Sequence, residues 1–254
     1  RRLSKLLLDL QDQWEFKLKN KIMSTVENKS KRYQSLLKDL DQTKSYKIDE
    51  AVKLIKDRSK TKFVESIDVS INLNLDKAKA DQTLRTTVDL PHGNGKKITV
   101  AVICANDKVD EAKASGADKV GSEDLIETIN NGKIDFDILV CTPDMMSKVG
   151  KLGKVLGPKG IMPNPKFGTV SPNIKKAVED IKKGKVEIRC DKDGNLSLSI
   201  GRANFDDNKI IENYKSVLEV VEKEKPSGIK GNFVNTVFLT SSMGPSTKVS
   251  LASA

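Results

Sequence analysis

The chain has 254 residues, with 45 Lys or Arg against 35 Asp or Glu and a net charge of +10; at roughly 100–200 residues per domain this is one large domain or two ordinary ones. A composition 37% hydrophobic and 31% charged belongs to a basic globular protein rather than a disordered one, and no run approaches the roughly 20 consecutive apolar residues of a membrane helix. The three cysteines, Cys104, Cys141 and Cys190, lie far apart with no CxxC pair, which argues against a disulfide scaffold or zinc cluster and fits a reducing compartment.

Residues 1–22 set Leu3, Leu6, Leu7, Leu10, Trp14 and Leu18 at helical spacing, predicting an amphipathic helix. The first methionine is Met23, while Asp9, Asp12 and Glu15 are wrong for a transit peptide and no apolar signal core follows. The segment reads as an upstream or appended helix. Residues 49–57 predict a helix, and Ile67, Val69, Ile71, Leu73 and Leu75 alternate strictly over 66–75, a half-buried strand. The run Leu90-Pro91-His92-Gly93-Asn94-Gly95 predicts a turn-rich boundary. Residues 98–105 are almost continuously apolar, as a parallel strand covered on both faces would be. Asp107 is expected to cap a short helix ending near Gly116, followed by a brief strand at Val120-Gly121 and a helix over 123–131. A buried strand over 138–141 then leads to Thr142 and Pro143 as N-cap and first helical residue. This alternation predicts a Rossmann-like layered α/β unit. A helix over 171–184 starts with Ser171 as N-cap and Pro172 at its first position and stops at Gly184. Next comes a predicted hairpin: Val186, Ile188 and Cys190, the turn 191–194, then Leu196, Leu198 and Ile200. A long amphipathic helix from Ile210 to Val221 ends before Pro226, and 232–242 supply a last strand. The flanks thus resemble one kind of domain and the middle another, which predicts an inserted domain reached by two crossing linkers.

Chemistry concentrates in three segments. Residues 145–168 hold Lys148, Lys151, Lys154, Lys159 and Lys166 and no acid, with five of the sixteen glycines and three of the eight prolines. So much Gly and Pro predicts a largely irregular, shaped loop, and lysines beside approachable backbone suit phosphates. It is neither GxxxxGK[ST] nor GxGxxG, and a merely solubilising loop is the competing reading. The second segment is Lys60, Lys62, Phe63, Glu65 and Ser66. An exposed aromatic between lysines stacks on a base, although Phe63 at a strand start is more often core. The third, Thr240-Ser241-Ser242-Met243-Gly244-Pro245, offers hydroxyls and a glycine to an RNA backbone, or simply closes a strand. His92, the only histidine, has no evident partner and reads as a linker residue. Asp135 and Asp137 show no acid/base spacing, and 105–108 lack the glycine that a nucleotide loop needs after the first strand. Enzymatic chemistry is therefore poorly supported.

Together these segments resemble large-subunit ribosomal protein one, the L-one family of the mobile stalk beside the tRNA exit site, in its bacterial or organellar form. The matching stretches are 62–66, 80–82 with 90–93, 153–166 with 168–170, and 241–244, within a resemblance spanning about 30–247. The resemblance implies an α/β protein of two domains: a discontinuous split α/β sandwich, ferredoxin-like, from 23–92 and 185–254, and an inserted Rossmann-like three-layer domain from 93–184. It implies that Lys62, Phe63, Glu65 and Ser66 lie beside Thr240, Ser241, Ser242, Met243 and Gly244 at a contact with large-subunit rRNA, with Lys31, Arg32 and Tyr33 nearby. A second, looser RNA contact would fall to Lys151, Lys154, Gly157, Pro158, Lys159, Gly160 and Lys166. Exit-site tRNA and the protein's own operon mRNA are the further implied partners. No enzyme activity, cofactor, metal or membrane is implied, and the expected state is a monomer within a cytoplasmic or organellar ribosome. Ser66 and Ser242 stand where threonines are usual, Cys190 takes a usually polar position, and residues 1–22 match nothing in the family. By segment, 1–22 carry +3, 23–62 carry +5 and 145–168 carry +5, leaving the remainder at −3. Apart from the first segment, the positive excess lies on the two regions that the resemblance sets against RNA.

Overall fold

The computed structural model describes residues 29–38, 40–41, 44–75, 84–105, 108–226 and 231–251. The helix expected over 1–22, the family stretch 80–82 and the cap expected at Asp107 lie outside the described residues. The elements are α1 (Lys31–Leu37), β1 (Ser45–Tyr46), α2 (Ile48–Arg58), β2 (Ser66–Leu73), β3 (Arg85–Asp89), β4 (Val100–Ile103), α3 (Val109–Ala114), β5 (Lys119–Gly121), α4 (Glu123–Asn130), β6 (Ile138–Cys141), α5 (Met146–Gly150), α6 (Gly153–Leu156), α7 (Ile174–Lys183), β7 (Lys185–Arg189), β8 (Asn195–Arg202), α8 (Asp207–Lys223), β9 (Val234–Ser241) and β10 (Thr247–Val249).

A five-stranded sheet runs β1-β10-β9-β2-β8, antiparallel except for the β1–β10 pair. The strict alternation of β2 drives Ile67, Val69, Ile71 and Leu73 onto α2 and α8, where all four are buried. Each such side chain contributes roughly 1.5–3 kcal/mol relative to exposure. The opposite face of β2 carries Ser66, Asp68, Ser70 and Asn72. Ser70 shares a hydrogen bond with Ser197 at 3.1 Å, and Asn72 donates to Asn195 at 2.7 Å. A second, three-stranded parallel sheet runs β5-β4-β6. Because successive side chains of β4 point to opposite faces, Val100 and Val102 pack with α3 and α7, whereas Ala101 and Ile103 pack with α4, α5 and α6. The layering is helix, sheet, helix, as the apolar run over 98–105 predicts. The first sheet's core draws on residues 46–90 and 186–249, and the two cores flanking the parallel sheet draw on 98–181.

Several sequence expectations are corrected. The hairpin over 186–200 does not form as a paired ribbon: β7 pairs with β3 and β8 with β2, leaving one bridge between Cys190 and Leu196. The turn itself is intact, since Asp191 Oδ1 accepts from the Asp193 and Asn195 amides at 2.9 and 2.7 Å. Strands β1 and β10 are too short for periodicity to announce, and β3, with Val88 its one buried residue, carries no apolar alternation. Segment 145–168 is more helical than its Gly and Pro predict, holding α5, α6 and a 3-10 turn at Pro165–Phe167. Val149, Leu152 and Leu156 are buried beneath the parallel sheet, and their burial outweighs the poor local propensity. Ser171 is not the cap of α7. Asn173 is, with Oδ1 accepting from the Lys176 amide at 3.2 Å, while Ser171 Oγ accepts from the Asn173 amide in the turn before it. Thr142 occupies the N-cap of a 3-10 turn without making a cap bond.

The two connections between the cores meet. Gly184 ends α7 at φ +118°, and a Cβ built there would fall 2.6 Å from Gly93 Cα. Asn213 of α8 fastens the crossing, donating to Gly93 O at 2.9 Å and to Ile200 O at 2.7 Å while accepting from the His92 amide at 3.2 Å. His92, without a partner in the sequence reading, has one: its Nε2 lies 2.5 Å from Glu212 Oε2.

Candidate nucleic-acid interface

The β2–β9 pairing carries the start of one strand to the end of the other, so 63–66 lie beside 240–244, nearly 180 residues later in sequence. Ahead of β2 the Thr61 hydroxyl donates to Phe63 O at 2.9 Å, and the chain turns outward. Phe63 is 55% exposed and Val64 46%. Of the two readings of Phe63, exposed or core, the exposed one holds: β2 begins three residues after it, at Ser66, where the alternation over 66–75 sets it. Val64, which sequence reasoning missed, broadens the same apolar surface. Its signal was an apolar pair just before the alternation starts.

Glu65 is the hinge of the arrangement. It is buried, and its Oε2 accepts from the Met243 amide at 3.1 Å while its backbone oxygen accepts from the Ala203 amide at 2.9 Å. Ser66 and Ser242 clasp each other: the Ser66 amide donates to Ser242 Oγ at 3.0 Å, and the Ser242 amide donates to Ser66 O at 3.1 Å. Held in this way, Met243 projects with 49% of its surface exposed. Its carbonyl accepts from Arg32 Nη2 at 3.0 Å, which brings α1, with exposed Lys31 and half-buried Tyr33, to the same rim. Lys62 is exposed beside Phe63. The Thr240 hydroxyl donates to Ser241 O at 3.1 Å, Ser241 is buried, and Gly244 follows tightly, its amide donating to Ser241 O at 3.2 Å. A Cβ at Gly244 would come within 2.3 Å of Ser241 Oγ. Every residue of the first predicted set therefore lies on this rim or on an element bonded to it. Two exposed apolar side chains of this kind, flanked by cations and fixed main-chain groups, can stack on bases and contact ribose and phosphate.

The second set lies beside the three-stranded parallel sheet. Lys151 between α5 and α6, Lys154 on α6, and Gly157, Pro158, Lys159 and Gly160 in the turn after it are all exposed. The Gly160 amide closes that turn onto Gly157 O at 3.0 Å, with Gly160 at φ +70°. Lys166 falls in the 3-10 turn, and its side chain is outside the description. Lys148 is drawn off by Glu123 at 2.5 Å, a bond that holds the Glu123 carboxyl below its usual range. Phe167 instead turns inward, 7% exposed, with the Arg85 guanidinium 4.7 Å from its ring centre. Among the described residues no group of three or more His, Cys, Asp or Glu is placed to hold a metal ion, and no helix is long and apolar enough to cross a membrane.

This pairing of folds and rim belongs to a class of ribosomal proteins rather than of enzymes: residues 55–245 match the model of the Ribosomal protein L1p/L10e family, and the chain belongs to that family. Its similarity to individual members is high. It is 49% identical over 224 residues, 88% of this chain and 97% of the relative, to the large ribosomal subunit protein uL1 of Thermosipho melanesiensis. It is 48% identical over 223 residues to the uL1 of Fervidobacterium nodosum, covering 87% of this chain and 95% of the relative. To the uL1 of Thermobifida fusca it is 48% identical over 217 residues, 85% of this chain and 92% of the relative.

Proposed function

We propose that this chain is a constituent of the large ribosomal subunit that grips a helix–loop of large-subunit rRNA with the rim formed by 62–66, 240–244 and α1. The observation that carries the reading is that Phe63 and Met243, both about half exposed, sit on two segments tied together by the Glu65–Met243 and Ser66–Ser242 bonds. A rigid apolar pair gives shape recognition, and the lysines add salt-dependent attraction. The names of the relatives support the subunit assignment. Lys151, Lys154, Lys159 and the exposed turn 157–160 serve a second, mainly electrostatic RNA contact.

The chain divides, in this reading, into a discontinuous RNA-gripping domain of 23–92 and 185–254 and an inserted domain of 93–184. The separation of the cores supports that division. The crossing at Gly93 and Gly184 is then the hinge about which a mobile stalk reorients as deacylated tRNA leaves the exit site. The same rim serves for an mRNA of the protein's own operon that imitates the rRNA site, in a cytoplasmic ribosome. Co-sedimentation with large subunits at moderate salt, together with nuclease protection of a short rRNA helix–loop, tests the assignment. Absence from the subunit fraction, or an unprotected fragment, overturns it.

A further inference from the structure

Five buried side-chain polar atoms have no hydrogen-bond partner among the described residues: Glu65 Oε1, Thr142 Oγ1, Ser199 Oγ, Arg202 Nε and Ser241 Oγ. Such atoms are rare in folded proteins, and each calls for an explanation. Four of the five gather at one end of the five-stranded sheet. The register sets Arg202 opposite Ser66, Ser199 opposite Asp68 and Ser241 opposite Ile67, with Glu65 immediately before the strand. Glu65 and Ser241 belong to the rim already described. Ser199 and Arg202, on β8, belong to no site so far.

We propose that β8 forms a third wall of the RNA interface, in which Arg202 takes a backbone phosphate and Ser199 an adjoining ribose hydroxyl. This rests on the RNA-binding reading of the Phe63–Met243 rim. Among the described residues the other arginines near this rim are committed: Arg32 to Met243 O at 3.0 Å, and Arg58 to Leu36 O and Leu54 O, each at 3.1 Å. Arg202 has no carboxylate within 4.0 Å among the described residues. Its stem is seated, since a Cβ built on Gly95 would lie 3.1 Å from Arg202 Cγ and 3.0 Å from Phe205 Cζ. The head group is therefore anchored at its base and has no internal Nε bond to break when it turns. The Nε and Nη edge of a guanidinium matches two phosphate oxygens, which an ammonium cannot do.

The test compares R202Q, R202K, S199A and F63A with the unmodified chain for binding to a helix–loop fragment of large-subunit rRNA across a series of salt concentrations. R202Q loses affinity by about 10- to 100-fold, the range of a charge-assisted hydrogen bond, and its salt slope falls by about one. R202K recovers the slope but stays weaker, and S199A loses roughly 3- to 10-fold with the slope unchanged. The half-buried position of Arg202 leaves the fold intact, checked by equal melting temperatures; R202K keeps the stem and supplies the slope if R202Q melts early. Affinity and slope unchanged in R202Q, with F63A weakened, overturn the role of β8 and leave the rim standing. If F63A also binds like the unmodified chain, the rim reading falls and this inference falls with it.

Discussion

Replacing Gly184 by alanine attacks the point where the two chain crossings meet. At φ +118° an L-residue is strained, and the left-handed region costs roughly 1–2 kcal/mol. The added methyl would also lie 2.6 Å from Gly93 Cα and 3.1 Å from Leu90 O, both backbone atoms that no rotamer change can move aside. Overpacking of this kind adds about 1–3 kcal/mol, so the total is about 2–5 kcal/mol. At roughly 2–4 °C per kcal/mol for a chain of this size, melting falls by about 4–20 °C. Gly132 is the control: its φ is +81° with nothing within 4 Å of the built Cβ, so G132A pays only the conformational strain of roughly 1–2 kcal/mol. Thermal and urea unfolding of the two variants side by side give the comparison. Equal losses in G184A and G132A would refute the claim that the crossings are pressed together there.

The remaining predictions concern the rim, the basic segment and the buried thiols. G244A sets a methyl 2.3 Å from Ser241 Oγ, the end of a short side chain whose hydroxyl has no hydrogen bond to lose and can turn aside, so it costs about 1 kcal/mol, the low end of overpacking, and calorimetry shows it milder than G184A. Neutralising Lys151 and Lys154 together lowers the salt slope by about two with a smaller loss of specific affinity, as a salt titration of binding reads directly. Burial pushes the Cys141 thiol from 9.0 up to about 11, and Tyr214 from 10.0 up to about 12. Both native pKa values are raised, so their stabilising contribution is complete below pH 9. It falls between pH 9 and 11 for Cys141 and between 10 and 12 for Tyr214 as the unfolded chain ionises first. Urea midpoints across that range decline, and more shallowly in C141A; no decline contradicts the burial argument. All three cysteines are buried, so a thiol reagent at pH 8 labels the native chain slowly and the unfolded chain fully.

Much of the fold could be read from residue patterns because burial on one face writes a period into the chain. Ile67, Val69, Ile71 and Leu73 announced β2 and its buried side, and the continuous run around Val100 announced a doubly covered parallel strand. Pairing was less legible. Val186 to Ile200 carries a hairpin's alternation and a hairpin's turn, yet β7 is claimed by β3, 100 residues upstream, and nothing local encodes that choice. In segment 145–168 local propensity argued for a loop, and burial of Val149, Leu152 and Leu156 prevailed. At the candidate site, residue types and motif order indicated which segments belong together. What escaped was their geometry: a lone Phe just ahead of a strand reads as core or as surface with equal ease, and Glu65 could not be seen as the support of Met243 across 178 positions. Arg202 gave no signal, since an arginine closing a strand is ordinary until its Nε is found buried and unpaired.

The central claim is that Phe63 and Met243, not net charge, select the RNA. Its most direct test is the affinity of the full chain for a large-subunit rRNA helix–loop against an unrelated RNA of equal length and charge, repeated with F63A and M243A. A clear preference for the helix–loop is expected, reduced at least tenfold in either variant with the salt slope unchanged. Equal binding of both RNAs, unaffected by either substitution, would contradict it.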